Sequence, residues 1–372
     1  MQFVDLAAQQ TRLRDRIDAR IAAVLDHGAY IMGPEVAELE QKLAQFCGAG
    51  HCISCANGTD ALQLVLMALG IRTGDAVFVP SFTFAATAEV IPCMGATPVF
   101  VDIDLATYTM SPESLQRAVD HAKTLGLRPA AIIPVDLFGL PADYPAIKAI
   151  ADSEGMFLIA DSAQGWGGEI DGQKTGTFGT VTTTSFFPAK PLGCYGDGGA
   201  IFTNDATLAA TLDSLRVHGK GAEKYENVRI GMNSRLDTIQ AAILLEKLSV
   251  YADEIDARNR VANRYSTALH NRYVTPHVPK GYRSIWAQYT LAAADERARD
   301  QIMQTLVSAG IPTAIYYPRP LHEQAAYSSF PSDPEGLPHS TRASQCVFSL
   351  PMHPYLETAD QDFVIETLQQ CS

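Results

Sequence analysis

The first half of the chain alternates short apolar runs with segments of helical periodicity. The apolar runs predict strands over residues 51–55, 76–79, 97–101, 130–135 and 157–160. The helical segments between them cover residues 57–69, 85–94, a stretch that begins near 111, and 144–154. Alternation of this kind is typical of an α/β fold with a mainly parallel sheet covered by helices on both faces.

The second half has a different pattern. A long, charge-laced helical segment covers residues 233–269 and leads to a smaller C-terminal α/β domain. That domain is predicted to hold a strand over 284–292 and helices over 297–308 and 358–369, while residues 328–338 form a surface loop. We therefore expect a large domain over residues 1–245 and a small domain over residues 246–372.

Composition excludes several classes of function. The 372 residues are 47% hydrophobic and 19% charged, values of an ordinary globular enzyme, and the net charge of −13 makes nucleic acid an unfavourable partner. The apolar stretches are too short to span a bilayer, and the N-terminal residues lack the order of a signal peptide. We therefore expect no membrane partner and a cytoplasmic location, where the seven cysteines would be free thiols.

One cysteine pair has the spacing of a metal or redox site. Cys52-Ile53-Ser54-Cys55 is a C-x-x-C sequence, but no second pair accompanies it and it lies in an apolar run. Buried thiols in a strand are the better interpretation, and we predict no metal site.

Lys190 has an unusual setting for a lysine. It lies in Ser185-Phe186-Phe187-Pro188-Ala189-Lys190-Pro191-Leu192-Gly193, ahead of the glycine-rich stretch Tyr195–Ala200. A lysine in a partly dry pocket loses its proton more readily and can form a Schiff base with a carbonyl. Upstream, Asp161 closes the apolar run 157–160. An acid at a strand end followed by such a lysine suggests pyridoxal phosphate (PLP), with the lysine on C4′ and the acid on the pyridinium nitrogen.

Other candidate residues also fall at predicted strand ends, where ligands of parallel sheets gather. Gly58, in the turn Asn57-Gly58-Thr59, and the Ser185 hydroxyl could hold a phosphate, Phe84 could cover one face of a planar ring, and Gln164 could support that ring. Each has an ordinary alternative: an N-cap at Asn57, a core phenylalanine, or a hydrogen bond within a loop. Their combination with Asp161 and Lys190 favours the functional interpretation. Dinucleotide-binding, P-loop and zinc-protease motifs are absent from the sequence.

At these residues the chain resembles the DegT/DnrJ/StrS family of sugar aminotransferases, within fold type I of the PLP-dependent transferases. The resemblance is carried by several ordered segments: Gly33–Val36, Ala56–Leu62, Gly95–Asp102, Ser185–Asp197, Arg229–Asp237 and Ser349–Pro354.

The resemblance implies a role for each cofactor residue. Lys190 matches the Schiff-base lysine and Asp161 the acid on the pyridine nitrogen. The remaining matches are Gln164 beside the ring, Phe84 stacked on it, Gly58, Thr59 and Ser185 on the phosphate, and Asn233 on the phosphate of the neighbouring subunit. It thus implies a homodimer with shared active sites. A branch of the family that carries out dehydration has histidine in place of this lysine, so Lys190 argues against that branch.

Within the family, the sequence around Lys190 is most similar to that of enzymes that aminate C3 of UDP-2-acetamido-2-deoxy-3-oxo-glucuronate for surface polysaccharide or O-antigen synthesis. The resemblance implies L-glutamate as amino donor and pyridoxamine phosphate as the carrier form. The segment Asp161-Ser162-Ala163-Gln164-Gly165-Trp166-Gly167 departs from the common D-A-A-Q-S-F-G. Candidate residues for the nucleotide keto-sugar are Arg229, Tyr317, His322 and Tyr30.

Three alternatives remain open. One is amination at C4 of a 4-keto-6-deoxy nucleotide-sugar, and another is a non-catalytic, regulatory PLP-binding protein of the same fold. The third is a different reaction on the same cofactor, such as that of a desulfurase or a decarboxylase.

Overall fold

The computed structural model describes residues 1–223 and 225–371. At its centre lies a seven-stranded sheet in the order β1-β9-β8-β5-β4-β2-β3. Its strands are β1 (His51–Cys55), β2 (Asp75–Pro80), β3 (Thr97–Val101), β4 (Arg128–Ile132), β5 (Phe157–Asp161), β8 (Val181–Ser185) and β9 (Gly199–Thr203). Two short strands, β6 (Glu169–Ile170) and β7 (Gln173–Lys174), form a separate small sheet with β10 (Tyr282–Arg283).

The direction of the strands brings the predicted site residues to one edge. β2, β3, β4, β5 and β8 pair in parallel, and β9 runs antiparallel to both β8 and β1. All strands of this sheet except β9 therefore end at the same edge. Asp161 and Ser185 are the last residues of β5 and β8, and Asn57 follows β1 directly. The predicted α/β class with a mainly parallel sheet is confirmed.

Helices cover both faces of the sheet and bury its apolar side chains. The helices of this part of the chain are α1 (Leu6–His27), α2 (Pro34–Cys47), α3 (Gly58–Ala68), α4 (Ala86–Cys93), α5 (Pro112–Thr124), α6 (Tyr144–Glu154) and α7 (Ala206–Leu215). One core cluster packs α3, α4 and α7 against one face, with Val77 and Ile159 among its members, and another packs α5 and α6 against the other, with Phe78 and Leu158. Alternate residues of β2 and β5 thus point to opposite faces, as the pleat requires.

The long helix α8 (Thr238–Leu269) connects the sheet to the C-terminal part. Leu244 and Tyr251 lie in a cluster with α2 and β9, whereas Tyr265 and Leu269 pack in a cluster with the C-terminal elements. Those elements are β11 (Tyr289–Ala292), α9 (Glu296–Ser308), α10 (Pro338–Cys346), β12 (Val347–Leu350) and α11 (Thr358–Gln370). We propose that they form the small domain over residues 246–372 and that residues 1–245 form the large one.

Several element bounds differ from the sequence prediction. The strand expected over 284–292 is shorter, since only β11 (Tyr289–Ala292) forms there and Trp286, with a left-handed φ of 52°, lies in the irregular segment before it. The helix expected from residue 233 begins only at Thr238, since Asn233 and Asp237 form isolated bridges with Val217 and Ile31. The fourth strand ends at Ile132 rather than at 135.

The cysteines are free thiols, and Cys52 and Cys55 are buried. Burial raises the pKa of both thiols, so these side chains are poor nucleophiles. Within residues 1–223 and 225–371, no cluster of three or more His, Cys, Asp or Glu side chains could hold a metal ion. None of the helices in the described part of the chain is both long and apolar enough to cross a membrane.

Candidate active site

A cavity of about 720 Å³ lies at the edge where the parallel strands end. It is bordered by the turn after β1, the ends of β5 and β8, the loop that follows β8, and Tyr316-Tyr317 from the C-terminal part. Eight of the predicted site residues line it together: Gly58, Thr59, Phe84, Asp161, Gln164, Ser185, Lys190 and Tyr317.

Asp161 lies at the floor of the cavity and is 4% exposed. Its Oδ2 accepts a 2.8 Å hydrogen bond from the Thr87 hydroxyl, and its Oδ1 accepts a 3.1 Å bond from the Ala163 amide. Burial raises the pKa of this carboxyl, while these two donors and the charge of Lys190 act in the opposite direction. A cationic N–H in the cavity would therefore stabilise the carboxylate, as a protonated pyridine nitrogen does.

Lys190 reaches the same cavity from the loop after β8. Its backbone amide donates a 2.8 Å hydrogen bond to the Phe187 carbonyl, which closes a turn around the lysine. Burial lowers the pKa of the Lys190 amine, and the Asp161 carboxylate raises it. A lowered amine pKa increases the neutral, nucleophilic fraction that attacks a carbonyl carbon.

The turn after β1 provides a phosphate cradle. Asn57 caps α3 by accepting a 2.8 Å hydrogen bond from the Asp60 amide, so the expected N-cap is present. The amides of Gly58 and Thr59 fall in the first helical turn, where amides have no intrahelical acceptor. A Cβ at Gly58 would lie 2.8 Å from the Ser185 Cβ, so only glycine allows the two segments to approach this closely. The Ser185 hydroxyl accepts from the Phe187 amide at 3.3 Å and retains its proton for a phosphate.

Gln164 joins the ring site to the substrate side of the cavity. Its Oε1 accepts a 2.9 Å hydrogen bond from the Phe138 amide, which fixes the orientation of the side-chain amide. Its Nε2 consequently donates to the Tyr317 hydroxyl at 3.0 Å. The Tyr317 ring lies 6.3 Å from that of Phe84, which is 56% exposed toward the cavity. A phenylalanine this exposed beside an acid and a lysine is suited to cover a flat ligand.

Four predicted residues do not line the cavity of the single chain. Arg229 and Asn233 are exposed on the segment before α8, and Tyr30 is 48% exposed before α2. His322 is half-buried, and its Nδ1 lies 2.7 Å from the Ser81 hydroxyl oxygen. The roles of all four stay predictions.

Sequence reasoning missed Thr87 and Asp136. Thr87 is 1% exposed and touches the Asp161 carboxylate, and a buried threonine in the otherwise apolar start of α4 is the only local sign of it. Asp136 is fully buried next to the turn that begins at Asp161. A lone acid within Pro134-Val135-Asp136-Leu137-Phe138 was the corresponding sign.

The cavity fits PLP on all counts that this chain can show. It has a lysine for the aldehyde carbon, a buried acid for the ring nitrogen, an exposed aromatic ring for one face, and a helix N-terminus with a hydroxyl for the phosphate. Such a site can bind and release amines at a carbonyl carbon.

Comparison with known proteins agrees with this geometry. The profile of the DegT/DnrJ/EryC1/StrS aminotransferase family matches residues 11–369. The chain belongs to this family. It is therefore a PLP-dependent aminotransferase of fold type I, and the predicted cofactor is confirmed.

Three proteins show how similar the chain is to other family members. It is 48% identical to the UDP-2-acetamido-2-deoxy-3-oxo-D-glucuronate aminotransferase of Pseudomonas aeruginosa, over 99% of both chains. It is 42% identical to the UDP-N-acetyl-3-dehydro-alpha-D-glucosamine 3-aminotransferase of Acidithiobacillus ferrooxidans, over 95% of this chain and 93% of that protein. The crystal structure of a family aminotransferase from Brucella abortus superimposes with a TM-score of 0.97 at 55% identity, covering 99% of this chain and 98% of the other.

Proposed function

We propose that this aminotransferase moves the amino group of L-glutamate to C3 of UDP-2-acetamido-2-deoxy-3-oxo-glucuronate. The observation that carries the proposal is the cavity in which Lys190, Asp161 and the Gly58–Ser185 cradle meet. The similarity to two 3-keto-sugar aminotransferases, which extends over nearly the whole length of each chain, supports the choice of sugar. The product would enter surface polysaccharide or O-antigen synthesis. We also propose a cytoplasmic location, since seven free thiols suit a reducing compartment.

Each of the cavity residues has its own role in the transfer of the amino group. PLP, when bound, withdraws electrons from the α-carbon of the amine and so makes its proton acidic. Lys190 removes that proton as a general base and returns it at the cofactor carbon as a general acid. Asp161 stays ionised and keeps the ring nitrogen protonated, with Thr87 and the Ala163 amide holding its two oxygens. The same groups act in reverse when the keto-sugar receives the amino group.

The substrate side of the cavity has polar groups for a keto-sugar. Tyr317 accepts from Gln164, so its own proton is available to a sugar oxygen. Burial raises the pKa of the Tyr317 hydroxyl, which therefore stays protonated as a donor at neutral pH. Arg229 and His322 remain the proposed groups for the diphosphate or the carboxylate, and Tyr30 a further contact.

We propose a homodimer in which each chain completes the site of the other. Apolar side chains near the outlying site residues support it: Ile230 is 88% exposed, and Tyr30 and Ile31 are 48% and 50% exposed. A second copy of the chain would bury these side chains and bring Asn233 and Arg229 to the neighbouring cavity. The Asn233 Oδ1 accepts from Arg235 at 2.6 Å, so the side-chain NH₂ group is the donor that Asn233 would offer to the phosphate.

A two-step absorbance experiment tests the reaction. The PLP-loaded enzyme is mixed with excess L-glutamate, and the visible band of the lysine-bound cofactor should disappear. The UDP-3-oxo-uronic acid should then restore it. Bleaching without recovery would reject this sugar as the substrate but would still agree with aminotransferase activity.

A matched sugar defines the specificity. UDP-3-dehydro-N-acetylglucosamine differs at C6, where the uronate carries a carboxylate, and a 4-keto-6-deoxy nucleotide-sugar tests the C4 alternative. Recovery should be fastest with the uronate. Equal rates with the neutral sugar would show that no group of the enzyme recognises the carboxylate. If only the 4-keto sugar restored the band, the C4 alternative would replace the proposal. If glutamate failed to bleach the band at all, a regulatory role would be favoured.

A further inference from the structure

A second buried acid lies directly behind the cofactor acid. The Asp136 carboxyl is 0% exposed and follows β4 at the same edge of the sheet. Its Oδ1 accepts hydrogen bonds from the Ala142 amide at 2.9 Å and the Tyr144 hydroxyl at 2.7 Å. Its Oδ2 accepts a bond from the Ser162 hydroxyl. The carboxyl thus links the start of α6 to the residue after Asp161.

The backbone makes the same connection. The Asp136 amide donates to the Asp161 carbonyl at 3.0 Å, and the Asp161 amide donates to the Pro134 carbonyl at 2.9 Å. Ser162 is itself fixed, because its amide donates to the Thr183 carbonyl at 2.9 Å. The Asp161–Gln164 turn is therefore held by Asp136 on one side and by β8 on the other.

The packing of Gly165 shows how closely the turn lies on Asp136. A Cβ at position 165 would be 2.2 Å from the Asp136 Cβ, a distance that no side chain can tolerate. The Gly165 amide donates to the Ser162 carbonyl at 3.1 Å, which closes the turn. Gly165, Ser162 and Asp136 are thus one packed unit beneath the two residues that face the cofactor ring.

Burying the Asp136 carboxylate costs desolvation free energy. The pKa of Asp136 is raised to about 7: burial raises it most, the three donors lower it, and the nearby Asp161 carboxylate adds to the rise. The other titratable groups that face Asp136 are Tyr144 from α6 and Tyr282 from β10. An apolar side chain would avoid this desolvation cost, so the acid has a use that packing alone does not explain.

We propose that Asp136 is a positioning residue for the cofactor site: through Ser162 it fixes the turn so that the Asp161 carboxylate and the Gln164 amide face the PLP ring. The inference rests on the PLP-dependent family assignment and not on the proposed sugar. It predicts that the bond between Ser162 and Asp136 contributes to PLP affinity, whereas the bond between Tyr144 and Asp136 contributes only to stability.

Two single-hydroxyl deletions provide a matched test. Ser162→Ala and Tyr144→Phe each remove one hydroxyl donor from the same carboxyl, and neither removes a main-chain bond. The phenylalanine can keep its ring on Phe178, which stacks on Tyr144 at 4.7 Å between centroids with an interplanar angle of 7°. The readouts are the dissociation constant of PLP for the apo-protein and the thermal midpoint of the apo-protein.

We expect both variants to lose a similar amount of thermal stability. The PLP dissociation constant should rise by roughly tenfold in Ser162→Ala, which corresponds to the loss of about one hydrogen bond, and by less than about twofold in Tyr144→Phe. Equal changes in PLP affinity, or none in Ser162→Ala, would overturn the proposal and leave Asp136 a purely structural group.

Asp136→Asn provides an independent measurement. In a double-mutant cycle with Ser162→Ala, the two effects on PLP affinity should be strongly non-additive, because both act through one bond. Additive effects would count against the proposal. If Asp136→Asn does not fold, the comparison of the two hydroxyl variants still decides it. The glutamate half-reaction of the wild-type enzyme tests the proposed function separately.

Discussion

The Thr87 hydroxyl donates a 2.8 Å hydrogen bond to the Asp161 Oδ2, and this bond connects α4 to the end of β5. Thr87 is 1% exposed and Asp161 4%, so water does not compete for the bond. One of the two hydrogen bonds that stabilise the ionised cofactor acid thus comes from a residue 74 positions away in the chain.

Removing this bond should shift the pH dependence of the glutamate half-reaction. The Thr87 donor lowers the pKa of Asp161, so Thr87→Val should raise that pKa. Since Asp161 works as the ionised form, the acid limb of the pH profile should move to higher pH, while the rate well above the limb changes little. Stopped-flow measurement of the bleaching rate across pH 5–9 gives the position of this acid limb. Thr367→Val, which removes a buried hydroxyl from α11 away from the cavity, is the control, and an unmoved limb in Thr87→Val would contradict the assignment.

Lys190→Ala should abolish steady-state turnover, since no other described lysine lines the cavity. The variant should still bind PLP through the cradle and Asp161, but without the visible band of the lysine-bound cofactor. Lys148→Ala removes an exposed lysine paired with Asp152 and is the control. Retention of turnover by Lys190→Ala would refute its role as nucleophile and general base.

Tyr317→Phe should weaken use of the keto-sugar more than use of glutamate. The variant keeps the ring beside Phe84 but loses the hydroxyl that Gln164 orients. Loss of one such hydrogen bond corresponds to a change of about tenfold in kcat/KM for the sugar. Tyr316→Phe, at an adjacent residue of the same cavity, is the control. An equal loss in the glutamate half-reaction would place Tyr317 on the cofactor instead.

A mixing experiment tests whether the active sites are shared. Asn233→Asp should repel the phosphate and Lys190→Ala removes the nucleophile, so each variant alone should be nearly inactive. In a mixed dimer with shared sites, one cavity has intact Lys190 and receives intact Asn233 from its partner. Random mixing should then restore about one quarter of wild-type activity. If Asn233 served its own chain, no cavity would gain both residues and no activity would return.

Stability in acid should depend on Asp333, which is 1% exposed and joins the loop before α10 to α5. Burial raises the pKa of Asp333, but hydrogen bonds from Arg117, Ser114 and the Glu335 amide outweigh it, so the net pKa is lowered. The folded protein thus favours the ionised form, and this contribution is present above the unfolded pKa of about 3.9 and lost as the pH falls through the folded value.

Asp333→Asn should therefore reduce the free energy of unfolding by about 2 kcal/mol at pH 7, and by less as the pH falls below the unfolded pKa. Urea denaturation at several pH values measures the difference. Asp120→Asn, at an exposed ion pair with Lys123, should change stability little. A loss in Asp333→Asn that does not depend on pH would indicate packing rather than charge as the cause.

Much of the fold and of the cofactor site followed from local patterns. Apolar runs bounded by turn residues predicted the parallel strands, and residues just past their ends, such as Asp161 and Ser185, had to meet at one edge because parallel strands end together. The breaks were harder to predict. The left-handed Trp286 donates from its Nε1 to Asn259 of α8, and the residues before Thr238 form bridges with Val217 and Ile31, and a local pattern contains none of these contacts.

The sequence by itself determined the chemistry of this protein: a lysine, an acid and a phosphate turn placed after successive strands, and hence the cofactor and the family. Only the tertiary structure decided how those groups are tuned. Thr87 on Asp161, Phe138 on Gln164 and Asp136 beneath the turn are contacts between segments far apart in the chain, each buried where a hydrogen bond is strong and a missing partner is costly. Their side chains are ordinary in sequence, because their function comes from burial and neighbours that only folding provides.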